Sequence, residues 1–225
     1  MFQRLARLRL IALFGGLLLA AACTAQSSSS GAGSSPDPYT EGSEYVKLPA
    51  PAQRYSNTGK VEVVEVFSYG CVHCAHFAPI AEAMKKQLPA GVEFKLMPAV
   101  FNDEWMPFAR AFYAAKKLGV LEQTHQALFK AKFEDNYPIN TLDELADFYA
   151  RQGVNRAEFL RIASSEDVSA QLKSDFDLAQ KWGVPGTPTI VVDGKYRSAE
   201  AHTQEELSAL TIWLAKRELA AQKGH

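Results

Sequence analysis

The sequence predicts an α/β protein, on three observations. A β-branched strand, a helix and a second strand stand early in the chain; helical periodicity fills the middle; two strands joined by a tight turn and a last helix close it. The chain has 225 residues, 47% of them hydrophobic and 22% charged, enough for a sizeable core and inconsistent with global disorder. Its net charge is −1. Because Arg4, Arg7 and Arg9 lie near the start, the remainder is mildly acidic and carries no electrostatic footprint for nucleic acid.

Taken in order, Met1–Arg9 is basic and Leu10–Ala22 is a 13-residue apolar run. That is short of the roughly 20 residues a bilayer span needs. It fits a signal peptide over 1–22 better than a buried N-terminal helix. Leu19-Ala-Ala-Ala-Cys23 resembles a bacterial lipobox, which makes Cys23 a candidate for lipidation, although Ala20 stands where leucine is usual. Ordinary cleavage after the alanines is the alternative. Thr24–Thr40 holds six serines, two glycines and two prolines and no Leu, Ile, Val or Phe. A flexible tether is therefore expected over 23–44.

Val61–Phe67 is β-branched and nearly all apolar, as a buried central strand should be. After the turn Ser68-Tyr-Gly70, Cys71-Val-His-Cys74 opens a helical stretch in which Phe77, Ile80, Ala81, Met84 and Leu88 recur at helical spacing. Pro79 is expected to kink it. Val92–Met97 reads as the second strand. Helical periodicity then runs from Pro107 to Trp182, with Gly119, Gly153 and Gly183 as stops and Thr141–Glu144 as a capping box. Thr189–Val192 reads as a strand, Asp193-Gly194 as a hairpin turn and Lys195–Arg197 as the return. Thr203–Glu206 is a second capping box, opening a helix to about Ala221.

Three cysteines exclude a four-cysteine zinc site and a dense disulfide scaffold. Ala75 follows Cys74, so the C-x-x-C-H pattern of haem attachment is absent. A metal held by the cysteines with His73 and His76, and a purely structural disulfide, stay as weaker readings. The first needs four groups to converge within one turn; in the second, a four-residue loop removes little chain entropy.

A redox pair uses every feature present. Cys71 stands where the chain turns into a helix, so unsatisfied N–H groups and the positive end of the helix dipole favour its thiolate. His73, if protonated, would add to that. Cys74, one turn inward, is expected to be more buried and to resolve mixed disulfides. Glu65 lies six residues before Cys71 in an apolar strand, where a carboxylate is costly unless it has a role. The alternative is that it points to water, as Glu62 is expected to. In Gly183-Val-Pro-Gly-Thr-Pro-Thr189, Pro188 is expected either to be cis, leaving backbone groups free for an extended peptide, or to be trans at the start of an edge strand.

Glu65-Val-Phe-Ser-Tyr-Gly-Cys-Val-His-Cys74, the distant Gly186-Thr-Pro-Thr-Ile-Val-Val-Asp-Gly194 and the helical block between them resemble the DsbA family of periplasmic thiol:disulfide oxidoreductases. The resemblance spans about residues 45–222. It implies a thioredoxin fold over 45–101 and 183–222 with a helical insertion domain at 102–182. It also implies an exposed nucleophile at Cys71, a buried partner at Cys74, a buried acid at Glu65 and a cis-proline loop at Thr187-Pro188. Val72, Thr187 and Pro188 would contact substrate; many members have proline where Val72 stands, so the redox poise is open.

By the same resemblance, the protein would be a monomer that introduces disulfides into newly translocated periplasmic proteins. A DsbB-type membrane oxidase would reoxidise it. It would need no cofactor beyond the Cys71–Cys74 disulfide; the lipobox-like run at Leu19–Cys23 separately implies that it meets the membrane only through a lipid on Cys23. A reducing or isomerising thiol protein, or a tethered copper- or peptide-binding module, are the alternatives.

Overall fold

The computed structural model describes residues 37–199 and 203–224. The signal peptide, Cys23 and most of the expected tether lie outside them. Within the described residues, β1 (Tyr45–Lys47), β2 (Val61–Phe67), α1 (Val72–Lys85) and β3 (Val92–Pro98) come first. A 3₁₀ turn at Asp103–Trp105 leads into α2 (Met106–Lys117), α3 (Leu121–Phe133), α4 (Leu142–Arg151), α5 (Arg156–Ala163) and α6 (Glu166–Lys181). Then β4 (Thr189–Val192), β5 (Tyr196–Ser198) and α7 (Gln204–Lys223) close the chain.

The five strands form one mixed sheet in the order β1-β5-β4-β2-β3. β2 pairs parallel to β3 through the α1 crossover and antiparallel to β4, so it is hydrogen-bonded on both sides and buried throughout. The strand period of two sorts its side chains. Val61 and Val63 pack with Phe77, Ala81 and Met84 of α1 and with Leu207, Leu210 and Leu214 of α7. Val64 and Val66 pack on the opposite face with Met97, Ala179 and Trp182. Phe67, at the strand's end, joins a third cluster built on α2 to α5. The redox turn therefore begins where the sheet meets the helices.

Both capping boxes form: Thr141 and Glu144, and Thr203 and Glu206, exchange their side-chain and backbone bonds. α1 continues through Pro79 to Lys85. Asp193 and Gly194 both have positive φ, as a type I′ hairpin requires. Glycine is needed at 194 for a second reason, since a Cβ there would strike the Gln53 carbonyl.

Three expectations are corrected. Glu62 does not point to water. It is fully buried, and its carboxylate accepts from the Ser56 N–H at 2.9 Å, from the Ser56 hydroxyl at 2.7 Å and from the Tyr55 N–H. Those donors satisfy the charge that burial would otherwise strand. The return strand starts at Tyr196 rather than Lys195, because the Lys195 N–H closes the turn on the Val192 carbonyl at 2.9 Å. The flexible tether does not run to residue 44. From Tyr39 the chain is packed, with the Tyr39 ring 5.3 Å from Trp213 and the Gly42 N–H donating to the Tyr45 carbonyl at 2.7 Å.

Candidate active site

The chain leaves β2 at Phe67 and turns through Ser68, Tyr69 and Gly70. The Cys71 N–H closes that turn on the Ser68 carbonyl at 3.1 Å, and the Gly70 N–H donates to the Ser68 hydroxyl at 3.0 Å. Cys71 is the N-cap residue of α1 and its side chain caps no backbone group. The first-turn N–H groups of the helix are therefore free to face its sulfur. A Cβ on Gly70 would lie 2.7 Å from the Trp105 indole, so the tryptophan from the 3₁₀ turn presses directly on the residue before Cys71.

Both cysteines are free thiols. The thiol of Cys71 donates to the Thr187 carbonyl at 3.4 Å, across the Thr187–Pro188 bond, which is cis. The cis alternative for Pro188 is thus the one observed. Cys71 is only 8% exposed, a correction to the exposed nucleophile that the resemblance implies. The Thr187 backbone lies against its sulfur, while Cys74 is wholly enclosed and Val72 is 41% exposed.

Electrostatics separate the two thiols. Cys71 is lowered from an ordinary 9.0 to about 5. The largest cause is a hydrogen bond from the Cys74 thiol; burial opposes it, and the Thr187 side chain and the backbone N–H groups of Cys74 and His73 reinforce it. The contribution of residue 73 is thus its main chain. Its side chain is exposed, and its carbonyl accepts from Gln204 Nε2 at 3.0 Å. Cys74 is pushed far above the ordinary range, first by burial, then by its bond to Cys71 and by the charges of Cys71 and Glu65.

Glu65 does not point to water. It is 2% exposed, and its Oε2 has no hydrogen-bond partner among the described residues. Burial first, and then the Cys71 charge, raise it from 4.5 to about 8, so at neutral pH it is mostly a protonated acid. It lines a cavity of about 880 Å³ together with Phe94, Lys95, Phe112, Lys116 and His125. A separate groove of about 630 Å³ is lined by His73, Gly186, Thr187, Pro188, Thr203 and Gln204.

Some neighbours carry no signal in the sequence. The Tyr69 hydroxyl lies 2.8 Å from His125 Nδ1, and Tyr113 donates to the buried Asp175 carboxylate. Each pair joins residues more than fifty positions apart, with no motif at either end. Among the described residues, no three His, Cys, Asp or Glu side chains converge as metal ligands would. No described helix is long and apolar enough to cross a membrane.

Comparison with known proteins gives one family. The profile of the DSBA-like thioredoxin domain matches residues 91–210. The thiol:disulfide interchange protein DsbA of Pseudomonas aeruginosa is 38% identical over 208 residues, covering 92% of this chain and 98% of that protein. An alignment that long necessarily spans Cys71 and Cys74. The DsbA of Burkholderia cepacia is 36% identical over 75% of this chain and 80% of its own length. Among solved structures, P. aeruginosa DsbA superposes with a TM-score of 0.77 at 38% identity, over 84% of this chain and 98% of that one. The oxidoreductase DsbA from Xylella fastidiosa gives 0.76 at 38% identity, over 81% and 98%.

Proposed function

This chain belongs to the DSBA-like thioredoxin family and is a thiol:disulfide oxidoreductase, and from that premise we propose that it works as an oxidant, with Cys71 as nucleophile and Cys74 as resolving thiol. Its substrates are newly translocated, cysteine-containing proteins of the periplasm. In the oxidised form a substrate thiolate attacks Cys71 Sγ; the intermolecular S–S bond forms, the Cys71–Cys74 bond breaks, and Cys74 departs. A second substrate thiolate then attacks the substrate sulfur, closing the product disulfide and releasing Cys71 as thiolate. Two electrons pass from substrate to protein, and a DsbB-type membrane oxidase removes them again. No cofactor enters beyond the cysteine pair.

The observation that carries this reading is the asymmetry of the two thiols. A leaving group of pKa about 5 departs readily, which drives exchange toward oxidised substrate and reduced protein. A low thiol pKa is already known of DsbA proteins, so its direction here is no surprise. Equilibration with a glutathione buffer tests the reading. The potential should lie near the roughly −120 mV known for DsbA itself. A value near thioredoxin's roughly −270 mV would turn the reading toward a reductase.

Glu65 has the position and protonation state to supply the proton Cys74 needs on departure. General acids of this kind contribute about 10²- to 10⁴-fold, so Glu65→Gln should slow exchange at pH 7 by at least about tenfold. It should also change the pH profile of stability. The folded value of Glu65 lies above the unfolded one, so its contribution is complete below pH 4.5 and lost as pH rises through about 8. Glu65→Gln should flatten that decline in melting experiments. Wild-type exchange rates in the variant would remove Glu65 from the mechanism.

Val72, Thr187 and Pro188, with the groove beside them, form the surface that receives an extended substrate peptide, and His73 borders it. Residues 45–101 and 183–222 act as the thioredoxin-like part and 102–182 as a helical insertion, in a monomer. Cys23 carries a lipid that tethers the protein to a membrane. Mass spectrometry of the mature N-terminus decides that last point.

A further inference from the structure

We infer that His125 is a positioning residue of the redox site: through its bond to the Tyr69 hydroxyl, helix α3 fixes the turn from which Cys71 projects. Tyr69 stands two residues before Cys71, is 1% exposed, and lies 2.8 Å through its hydroxyl from His125 Nδ1. Both residues sit in a box of rings. Phe67 and Tyr69 are 5.1 Å apart, Tyr69 and Phe129 4.9 Å, His125 and Phe129 5.3 Å, and Phe67 and His125 5.4 Å. Phe67 belongs to β2, and His125 and Phe129 to α3. The box therefore joins the end of the sheet, the redox turn and the helical block.

Ring contacts supply area and tolerate sliding; a hydrogen bond specifies one position. His125 is suited to it, because burial first and then Lys85 draw it down to about 4, leaving a neutral imidazole that can accept the hydroxyl proton. The groups that favour the Cys71 thiolate come from two segments, the Cys74 thiol and first-turn N–H groups of α1 and the side chain of Thr187. They converge on one sulfur only if the turn keeps its place between them. Hydrogen bonds weaken steeply with small displacements, so releasing Tyr69 should loosen the set. His125 reaches no reacting atom; it acts through Tyr69.

This inference rests on Cys71 being the nucleophile. Alkylation mapping of the wild type tests that separately: if Cys74 reacted first, the parent reading would fail whatever the variants did. The inference itself is tested by titrating the Cys71 thiolate in the reduced, full-length protein and in Tyr69→Phe, His125→Leu and His125→Asn. Tyr69→Phe and His125→Leu should raise the thiol pKa by about one unit, which lowers the thiolate fraction at pH 5 about fivefold. His125→Asn offers an amide near the place of Nδ1 and should stay within about twofold of wild type. An unchanged pKa in Tyr69→Phe, which removes a single hydroxyl and leaves the ring box filled, overturns the inference even if His125→Leu does not fold. So does an asparagine variant as impaired as the leucine one.

Discussion

Alkylation of the reduced protein at pH 6 should label Cys71 at least about a hundredfold faster than Cys74. With a pKa of about 5, Cys71 is roughly 90% thiolate at that pH, whereas a thiol at the ordinary 9.0 is ionised to roughly one part in a thousand. Intrinsic nucleophilicity falls with pKa along a Brønsted slope of about 0.4–0.5, which takes back roughly 1.6–2 of those three decades. Cys71 would thus outrun an exposed, ordinary thiol about tenfold or more. Cys74 is slower than that reference on both counts, because it has no exposed surface and its pKa lies far above the ordinary value.

The same asymmetry sets the phenotypes of the single variants. Cys71→Ser should abolish turnover, since the other cysteine among the described residues, Cys74, is wholly enclosed. Cys74→Ser should accept substrate thiols from an activated mixed disulfide on Cys71 and then fail to release them internally. Equal labelling of the two cysteines, or residual turnover in Cys71→Ser, would overturn the assignment of roles.

The reduced protein should melt above the oxidised one at pH 7 to 8, and the order should reverse in mild acid. Closing a four-residue loop favours the oxidised form by about 2 kcal/mol on the chain-entropy model. The thiolate opposes it. The folded pKa of Cys71 is depressed, so its contribution is complete above the unfolded 9.0 and is lost as pH falls through about 5. At pH 7 that amounts to about 2–3 kcal/mol, less whatever solvent screening removes near the surface. The part of the Glu65 shift that is due to the Cys71 charge belongs to the reduced form and trims its lead.

The two forms should therefore cross between about pH 6 and 7, with a lead of a few degrees at pH 8, since 1 kcal/mol moves Tm by about 2–4 °C in a domain of this size. Melting both forms from pH 8 to pH 5 checks this. An oxidised form that melts higher throughout would contradict an oxidising poise and make the reducing alternative the better reading.

Most of the fold was legible where a local pattern and the final environment agreed. Val61–Phe67 is short, branched and apolar because it is hydrogen-bonded on both edges and covered on both faces. The two capping boxes and the Asp193-Gly194 turn are local chemistry, closed within four residues. β1 left no trace, because a three-residue edge strand owes its existence to pairing with β5 rather than to its own pattern.

The site divides the same way. Cys71 and Cys74 announce themselves by spacing, and Glu65 by being a carboxylate among valines. Glu62 offers the same signal on the other face of the same strand, yet there the charge is satisfied by the backbone of Tyr55 and the side chain and backbone of Ser56. Sequence could not tell those two carboxylates apart, because what separates them is the loop before the strand. His125 was invisible for a related reason: its partner Tyr69 lies on a distant segment.

The indole of Trp105 against Gly70 bears on how this architecture can be rebuilt by recombination. Those two positions belong to different stretches of chain, one in the redox turn and one at the threshold of the helical block. Exchanging the helical segment for that of a relative therefore transplants half of a steric pair. A chimaera that brought a side chain to position 70, while the tryptophan stayed, would force the ring out or drag the turn before Cys71 with it. A chimaera that lost the tryptophan would remove the ring that packs against Gly70. Breakpoints between the two parts are thus best chosen so that residues 70 and 105 descend from the same parent.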